Sequence, residues 1–587
     1  MKEHKGPLNG IKVLSIGTSI VGPWAATLMG YLGAEVFKVE PPKGEFLRML
    51  YPRQNKLATA YSSTNLNQKS AGLNTKEEDG MNAMLGLANQ ADILIENFRP
   101  GVAERIGLGY ETLHESNPNL VFGSSSGYGD DGPMKNLAAL EPHLQAFSGM
   151  SGVTGYPNGD GQLIRFTHLD PTGAVFFCGL LMLGLIERER FGHSCWVKTS
   201  HLANAIANMN NKVSEVLLAN SPSKPLGSGS STSAPNRCYL CEDNRYIAVS
   251  CEHQTQWLGF CNALELDHLT EDERFLSNID RVKNRDELDK ILENHFHQKP
   301  SRWWSLRLNN HNVPNSFDLS FDDLEFHQQI VENNFLVEVD GEHTGPFYVG
   351  GLPWEFSKTP AKINVSIPVP GKDTEKAMKE GFENSSKNTK ELTSESPEYP
   401  LKGIRVVDIT QGYTGPYLSF MLAEAGAEVT KIEPIGGDWS KQLSPQTKKG
   451  TSALYESFNR NKEIIEIDIQ SEDGERDFQS LLNQADILIE DWSKDSAEAV
   501  KYDYEKLKQE NPKIIHYSLS AFGHHGPMRN KSGSDLVIQA MSGYLRTLGD
   551  VGEEPVRVGA DVVSTCTAAM SLIAILGALY HVIQTGE

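Results

Sequence analysis

The chain is short of positive charge, of cysteine and of long apolar runs. Its 587 residues carry 54 Lys and Arg against 76 Asp and Glu, a formal charge of -22, whereas general nucleic-acid binding depends on a basic surface that displaces counterions. Nucleic acid is therefore not an expected partner, and an anionic ligand has to be met by a local cluster of cations. Seven scattered cysteines are too few for a secreted disulfide scaffold, and the opening Met1-Lys2-Glu3-His4-Lys5 leads into no apolar signal segment. The expected location is the cytoplasm. The longest apolar runs, 174–186 and 568–583, contain glycine and are short for a bilayer span, so they read as buried core helices rather than as membrane segments. No GxGxxG follows the first strand-like run, Gly17 and Gly22 being wrongly spaced, which counts against a nicotinamide dehydrogenase.

What the chain does have is a long internal repeat. Gly22-Pro23 recurs as Gly415-Pro416 and Val39-Glu40-Pro41 as Ile432-Glu433-Pro434, each 393 residues on. After one inserted residue the offset is 394: Ala91-Asp92-Ile93-Leu94-Ile95-Glu96 recurs as Ala485-Asp486-Ile487-Leu488-Ile489-Glu490, Gly132-Pro133-Met134 as Gly526-Pro527-Met528, and Ser148-Gly149 as Ser542-Gly543. A period this long means two copies of a domain.

Each copy opens with a strand-like run (11–16 or 404–409), a Gly-Pro turn, a helical stretch and a second apolar strand (34–39 in copy one). Further strands are expected at 92–95 and 120–124. Alternating strands and helices predict a Rossmann-like parallel sheet covered on both faces. The expected organisation is a large domain over 1–225, a small α+β domain over 226–345 opened by the Gly227-Ser228-Gly229-Ser230-Ser231 loop, and a return segment over 346–380. A polar linker over 381–399 and a second large domain over 400–587 follow. Copy two ends 23 residues beyond Ser564 without a counterpart of the small domain, and reads as incomplete.

The copies differ where chemistry is most plausible. Asp170-Pro171-Thr172-Gly173 precedes a strongly apolar helix, which predicts Asp170 as N-cap and Pro171 as the first helical residue. The counterpart is Ser564, which caps about as well but has no carboxylate. Asp561 lies three residues early and stays a minority candidate for the same place. A carboxylate at a helix N-terminus is expected to remain anionic, and an anionic carboxylate can attack an activated acyl group. On the residues alone, cap and nucleophile are both open.

Pro7-Leu8-Asn9-Gly10-Ile11-Lys12-Val13-Leu14, Gly22-Pro23, Leu32-Gly33-Ala34-Glu35-Val36, Glu96-Asn97-Phe98-Arg99-Pro100-Gly101 and Ser126-Gly127-Tyr128-Gly129, in this order, resemble the family III CoA-transferases, the CaiB/BaiF family, whose chains interlock as dimers. The resemblance implies that Asp170 is the nucleophile, passing through an acyl anhydride and an aspartyl-CoA thioester. Coenzyme A is then a substrate with no permanently bound cofactor and no metal, and the partners are acyl-CoA and a small carboxylic acid. It further implies CoA contacts at Ile20, Val21 and Arg99, a covering glycine loop at Gly227 and Gly229, and either an intrachain pseudo-dimer or a homodimer. Lys38 and Lys43 are candidates for added positive charge. Copy two has Ser493 in place of Arg99, so it reads as catalytically degenerate.

Two other functions compete. An acyl-CoA racemase pairs a His with the Asp, and the position of that His is held by Leu140, with His143 three residues off. A CoA-binding protein without catalysis is the other. Cys238-x-x-Cys241 with Cys251 and Cys261 lacks the second tight pair of a structural zinc site, and Trp257, Trp303, Trp304 and Trp354 read as core rather than as a cation-binding wall.

Overall fold

The computed structural model describes residues 5–54, 57–341, 345–363, 367–383 and 397–587. Most of the expected linker (384–396) and three residues of the return segment (364–366) lie outside the described residues.

Copy one is built on a six-stranded parallel sheet: β1 (Lys12–Ser15), β2 (Glu35–Glu40), β3 (Lys69–Gly72), β4 (Ile93–Glu96), β5 (Val121–Ser126) and β6 (Trp196–Ser200), in the spatial order β3-β2-β1-β4-β5-β6. Strands β1, β4 and β5 are buried along their whole length, as strands covered on both faces must be. This order reverses direction between β1 and β4, the switch point outside whose carboxyl ends α/β proteins place their ligands.

Helix α1 (Val21–Tyr31) follows β1. Gly22-Pro23 therefore forms part of its first turn and not a preceding turn, because an N–H missing from that position has no helical partner to lose. Helices α2 (Glu141–Phe147), α3 (Leu169–Phe191) and α4 (His201–Asn208) complete the elements around the carboxyl edge. Helix α3 ends at Gly192, whose φ of 71 is the left-handed conformation glycine adopts without penalty.

The small domain is a three-stranded antiparallel sheet, β7 (Asn236–Leu240), β8 (Tyr246–Ser250) and β9 (Asn315–Phe317), in the order β9-β8-β7. Helices pack on it around Trp257, Phe260, Phe296 and Trp304. Trp257, Trp304 and Trp354 are buried and Trp303 packs against the small-domain core, so these rings are packing groups. Cys238, Cys241, Cys251 and Cys261 are free and buried, and among the described residues no three His, Cys, Asp or Glu side chains converge as a ligand set.

After the small domain the chain comes back to copy one. Asp373 lies beside edge strand β3, its N–H donating to Ser70 O and its carboxylate accepting Ser70 N–H, both at 2.9 Å, and α5 (Thr374–Lys379) follows. Copy two then repeats the frame with β10 (Arg405–Asp408), β11 (Glu428–Glu433), β12 (Lys462–Glu466), β13 (Ile487–Glu490) and β14 (Ile515–Ser518), all parallel, in the order β12-β11-β10-β13-β14. Its helices α6 (Thr414–Glu424), α7 (Asp535–Met541) and α8 (Val562–Thr585) match α1, α2 and α3.

Helices α3 and α8 are long and apolar enough to cross a membrane, but they pack against each other within one continuous core. Leu181, Leu185, Ile573 and Leu576 are fully buried there, each contributing roughly 1.5–3 kcal/mol. The small domain of copy one sits on copy two: Cys238 and Ala248 pack on Leu536, Ala540 and Leu545, and Leu319 N–H donates to Ala540 O at 3.1 Å. The chain thus leaves copy one, covers copy two, and returns before copy two begins.

Candidate active site

The loops after β1 and β4 meet at the switch point. Asn97 locks them together, its Oδ1 accepting Thr18 N–H and its Nδ2 donating to Thr18 O, each at 2.8 Å. Ile20 is half-buried as the residue preceding α1, Val21 is buried at its start, and Arg99 is exposed on the neighbouring loop with no ion pair among the described residues. Lys43 is also exposed. Arg99 and Ile20 thus lie on the two loops that follow the adjacent strands β4 and β1, at the switch point where this topology places ligands.

Lys38 is different from what its sequence position suggests. It is fully buried and paired with Glu45 at 2.5 Å, beside a second buried pair in which Arg48 Nη2 lies 2.6 Å from Glu40 Oε1. It is therefore neither a ligand-facing nor a solvated lysine. Its role is scaffolding: Glu45 also accepts Ser19 N–H at 2.8 Å, so the buried cation holds a carboxylate that holds the β1–α1 loop. Copy two repeats the device, with Lys431–Asp438 at 2.9 Å, Lys441–Glu433 at 2.5 Å and Asp438 accepting Gly412 N–H.

Asp170 is not the cap of its helix. His168 occupies that position, with Leu169 and Asp170 as the first two helical residues. The helix end is instead closed from a distance by Glu141 at the start of α2. Its Oε1 accepts the N–H groups of His168 and Leu169 at 3.0 and 2.9 Å, and its Oε2 accepts that of Asp170 at 2.8 Å. One carboxylate satisfies three amides that a helix start leaves orphaned.

The consequence for Asp170 reverses the sequence expectation. With the amides spent on Glu141, its own oxygens accept no hydrogen bond among the described residues. Burial, then the negative charge of Glu141, push its carboxyl up from the ordinary range to about 7. Its side chain is still 22 % exposed. Asp170 is thus a reachable carboxyl poised between its acid and its carboxylate form near neutrality.

His201, at the first position of α4, also faces the Asp170 carboxyl, with Nδ1 3.6 Å from Asp170 Oδ1. Burial, opposed by Glu141, lowers its pKa to about 4, so it is neutral at pH 7. Neither Glu141 nor His201 is singled out by local sequence pattern. A signal for Glu141 exists in the repeat, because Glu141 and Asp170 are 29 residues apart, as are Asp535 and Ser564. His143 is exposed on α2, and Leu140 is exposed just before it.

In copy two the collar survives without the carboxyl it flanks in copy one. Asp535 Oδ2 accepts Ser564 N–H at 2.8 Å. Asp561, the residue preceding α8, is bonded to Arg557 at 2.7 Å and accepts from Asn211 at 2.8 Å, so it is no free substitute for Asp170. The glycine loop lies here: Gly227 N–H donates to Gly155 O, and Gly227 O accepts Arg557 N–H at 3.1 Å. Gly227 and Gly229 line a cleft with Arg557, Gly559 and Asp561, and Asp170 is not among its walls. The loop expected over Asp170 therefore closes on the Ser564 side, because the small domain that carries it is seated on copy two.

Copy one has no such cover at the matching positions. Phe147 on α2 is 56 % exposed, whereas its counterpart Met541 is 6 % exposed beneath the last part of the small domain. Tyr51 is 82 % exposed, whereas its counterpart Ser444 is 8 % exposed, its N–H donating to Thr232 O.

Against known proteins, the profile of CoA-transferase family III matches residues 8–374 and again residues 401–587. The chain is 29 % identical over 376 residues to mouse succinyl-CoA:glutarate CoA-transferase, covering 64 % of this chain and 86 % of that one. It is 32 % identical over 303 residues to acetyl-CoA:oxalate CoA-transferase of Acetobacter aceti, covering 51 % and 77 %. Among solved structures, Rv3272 of M. tuberculosis superposes with a TM-score of 0.57 at 27 % identity, covering 64 % of this chain and 99 % of that one. A CaiB/BaiF family protein of Brucella suis gives 0.55 at 25 %, covering 64 % and 98 %. With both halves of its repeat matched by the family profile, this chain belongs to CoA-transferase family III.

Proposed function

We propose that the protein moves CoA from an acyl-CoA to a carboxylic acid, with Asp170 as nucleophile. One observation carries this reading: Asp170 is a partly exposed carboxyl with no hydrogen bond to its oxygens among the described residues, at the carboxyl edge of the copy-one sheet. Ionised Asp170 attacks the thioester carbonyl, forming a C–O bond and expelling CoA thiolate. The thiolate attacks Asp170 Cγ, and the donor leaves as its carboxylate. The acceptor carboxylate then attacks the aspartyl-CoA thioester and again frees the thiolate. Attack of that thiolate on the acceptor acyl carbon yields the new acyl-CoA and restores Asp170. Acyl donor and acceptor exchange one thioester for another, so the balance needs no further reactant.

Arg99 is the CoA-facing cation in this reading, pairing with phosphate or stacking on adenine, with Ile20 and Val21 as the facing wall. A racemase needs two bases on opposite faces of an α-carbon. His201 lies directly against Asp170, leaving no room for a carbon between them, so the pair favours transfer over racemisation. The test is intact-mass analysis after incubation with succinyl-CoA. The expected result is a CoA adduct on Asp170, convertible to a hydroxamate by hydroxylamine, and its absence in Asp170→Asn. An equal adduct in that variant would overturn the assignment.

A further inference from the structure

His201 begins α4 directly after β6, where Ser200 caps the helix by accepting Ala203 N–H at 3.2 Å. This corner aims the imidazole past Gly173, one turn beyond Asp170; a Cβ on Gly173 would lie 3.7 Å from His201 Nδ1. The His201 side chain is 12 % exposed, and Nδ1 is buried without a hydrogen-bond partner. Among the described residues the carboxylate within 4.0 Å of it is Asp170, at 3.6 Å. The other groups that face it are few. Glu141 of α2 acts on it through its charge, while Asn204 on its own helix is engaged with Thr199 and Gly173 O. A buried ring nitrogen left unpaired is destabilising, and Asp170 is a carboxyl whose other natural donors, the helix amides, are already taken.

We propose that His201 is a positioning residue for Asp170: its Nδ1–H donates to Oδ1 of the ionised carboxylate and leaves Oδ2 as the attacking oxygen. The gap exceeds a hydrogen bond by a few tenths of an ångström, and such contacts tighten in the reacting complex. Ionisation supplies the drive, since a charged acceptor roughly doubles the strength of the bond. The catalytic meaning rests on Asp170 being the nucleophile, but the bond itself is testable in the free protein.

The test is an infrared titration of the Asp170 carboxyl band, identified as the difference between wild type and Asp170→Asn, without CoA present. Burial and the charge of Glu141 alone put the midpoint near 7, and the His201 bond is expected to hold wild type about one unit below that. His201→Phe removes the donor, and the midpoint rises by about one unit. His201→Asn, whose amide nitrogen falls where Nδ1 was, restores it, and His201→Gln, whose amide sits farther out, does not. The rate of adduct formation with succinyl-CoA falls about fivefold in the Phe variant at pH 6, from the ionised fraction alone, and recovers by about pH 8.5. An unchanged midpoint in His201→Phe overturns the proposal, as does a rate loss of equal size at every pH. Should the Phe variant not fold, identical midpoints in the Asn and Gln variants overturn it. If wild type forms no adduct at all, the transferase reading fails while the titration still decides the His201–Asp170 bond.

Discussion

Copy one and copy two share a frame and part company at a few side chains. Both have the parallel sheet, the buried lysine that fixes the β1–α1 or β10–α6 loop through a carboxylate, and an acidic collar at the start of the long core helix. Only copy one has a carboxyl where that helix begins its second residue, an Arg beyond β4, and exposed side chains at the positions covered in copy two. Copy two is covered by the small domain and has Arg557 and Asp561 paired beside Ser564. The comparison separates the electrostatics that build this fold from the groups that work on a ligand.

The comparison breaks first at Asp170. Asp170→Asn should lower transfer by at least about 10³-fold, while Ser564→Ala leaves it unchanged. Ser564→Asp should give no second CoA adduct by mass spectrometry, because that side is covered. Loss of activity in Ser564→Ala would end the division of labour between copies.

Stability against pH sharpens it next. Asp170 is an acid whose folded pKa is raised, so it costs nothing below its unfolded pKa of about 4 and costs progressively more up to about 7. Asp170→Asn should therefore be more stable than wild type by about 1–3 kcal/mol at pH 8, a gain that shrinks on acidification and vanishes below about pH 4. Denaturant melts at pH 4, 6 and 8 measure it, with Ser564→Ala as the pH-independent control.

Arg99→Ala should raise KM for succinyl-CoA about tenfold, about 1.4 kcal/mol, with kcat little changed. Ser493→Arg in copy two should leave KM unaffected. The smallest effect is expected at the collar. Glu141→Gln removes the charge that helps to raise the Asp170 carboxyl, so the acid limb of the pH–rate profile should move down by less than one unit. Asp535→Asn should leave that limb where it is.

Much of this was legible in the sequence. The register of the repeat exposes Asp170 against Ser564, and alternating strands and helices give the parallel sheet. The rest depends on contacts far apart in the chain. Asp170 in Asp-Pro-Thr-Gly has a local capping pattern, but a carboxylate 29 residues earlier takes the amides, and that inverts the expected ionisation. Lys38 alternates with apolar neighbours as a solvent-facing strand residue does, yet a parallel strand is buried on both sides. His201 comes from the strand after α3, whose counterpart in copy two would fall past residue 587, so the internal comparison could not flag it. The glycine loop is recognisable by composition, but which copy it covers depends on how the small domain swings across.

The collar at the start of α3 also bears on the order of events. A bare helix end draws anions, and here it would draw free acid out of solution to a point beside the nucleophile. Glu141 fills that place permanently, so an acceptor acid finds no standing anchor next to Asp170. On the proposed mechanism, free carboxylates should then be poor competitors against acyl-CoA for the resting protein, and the acceptor would gain its foothold only after Asp170 has given up its charge to a thioester.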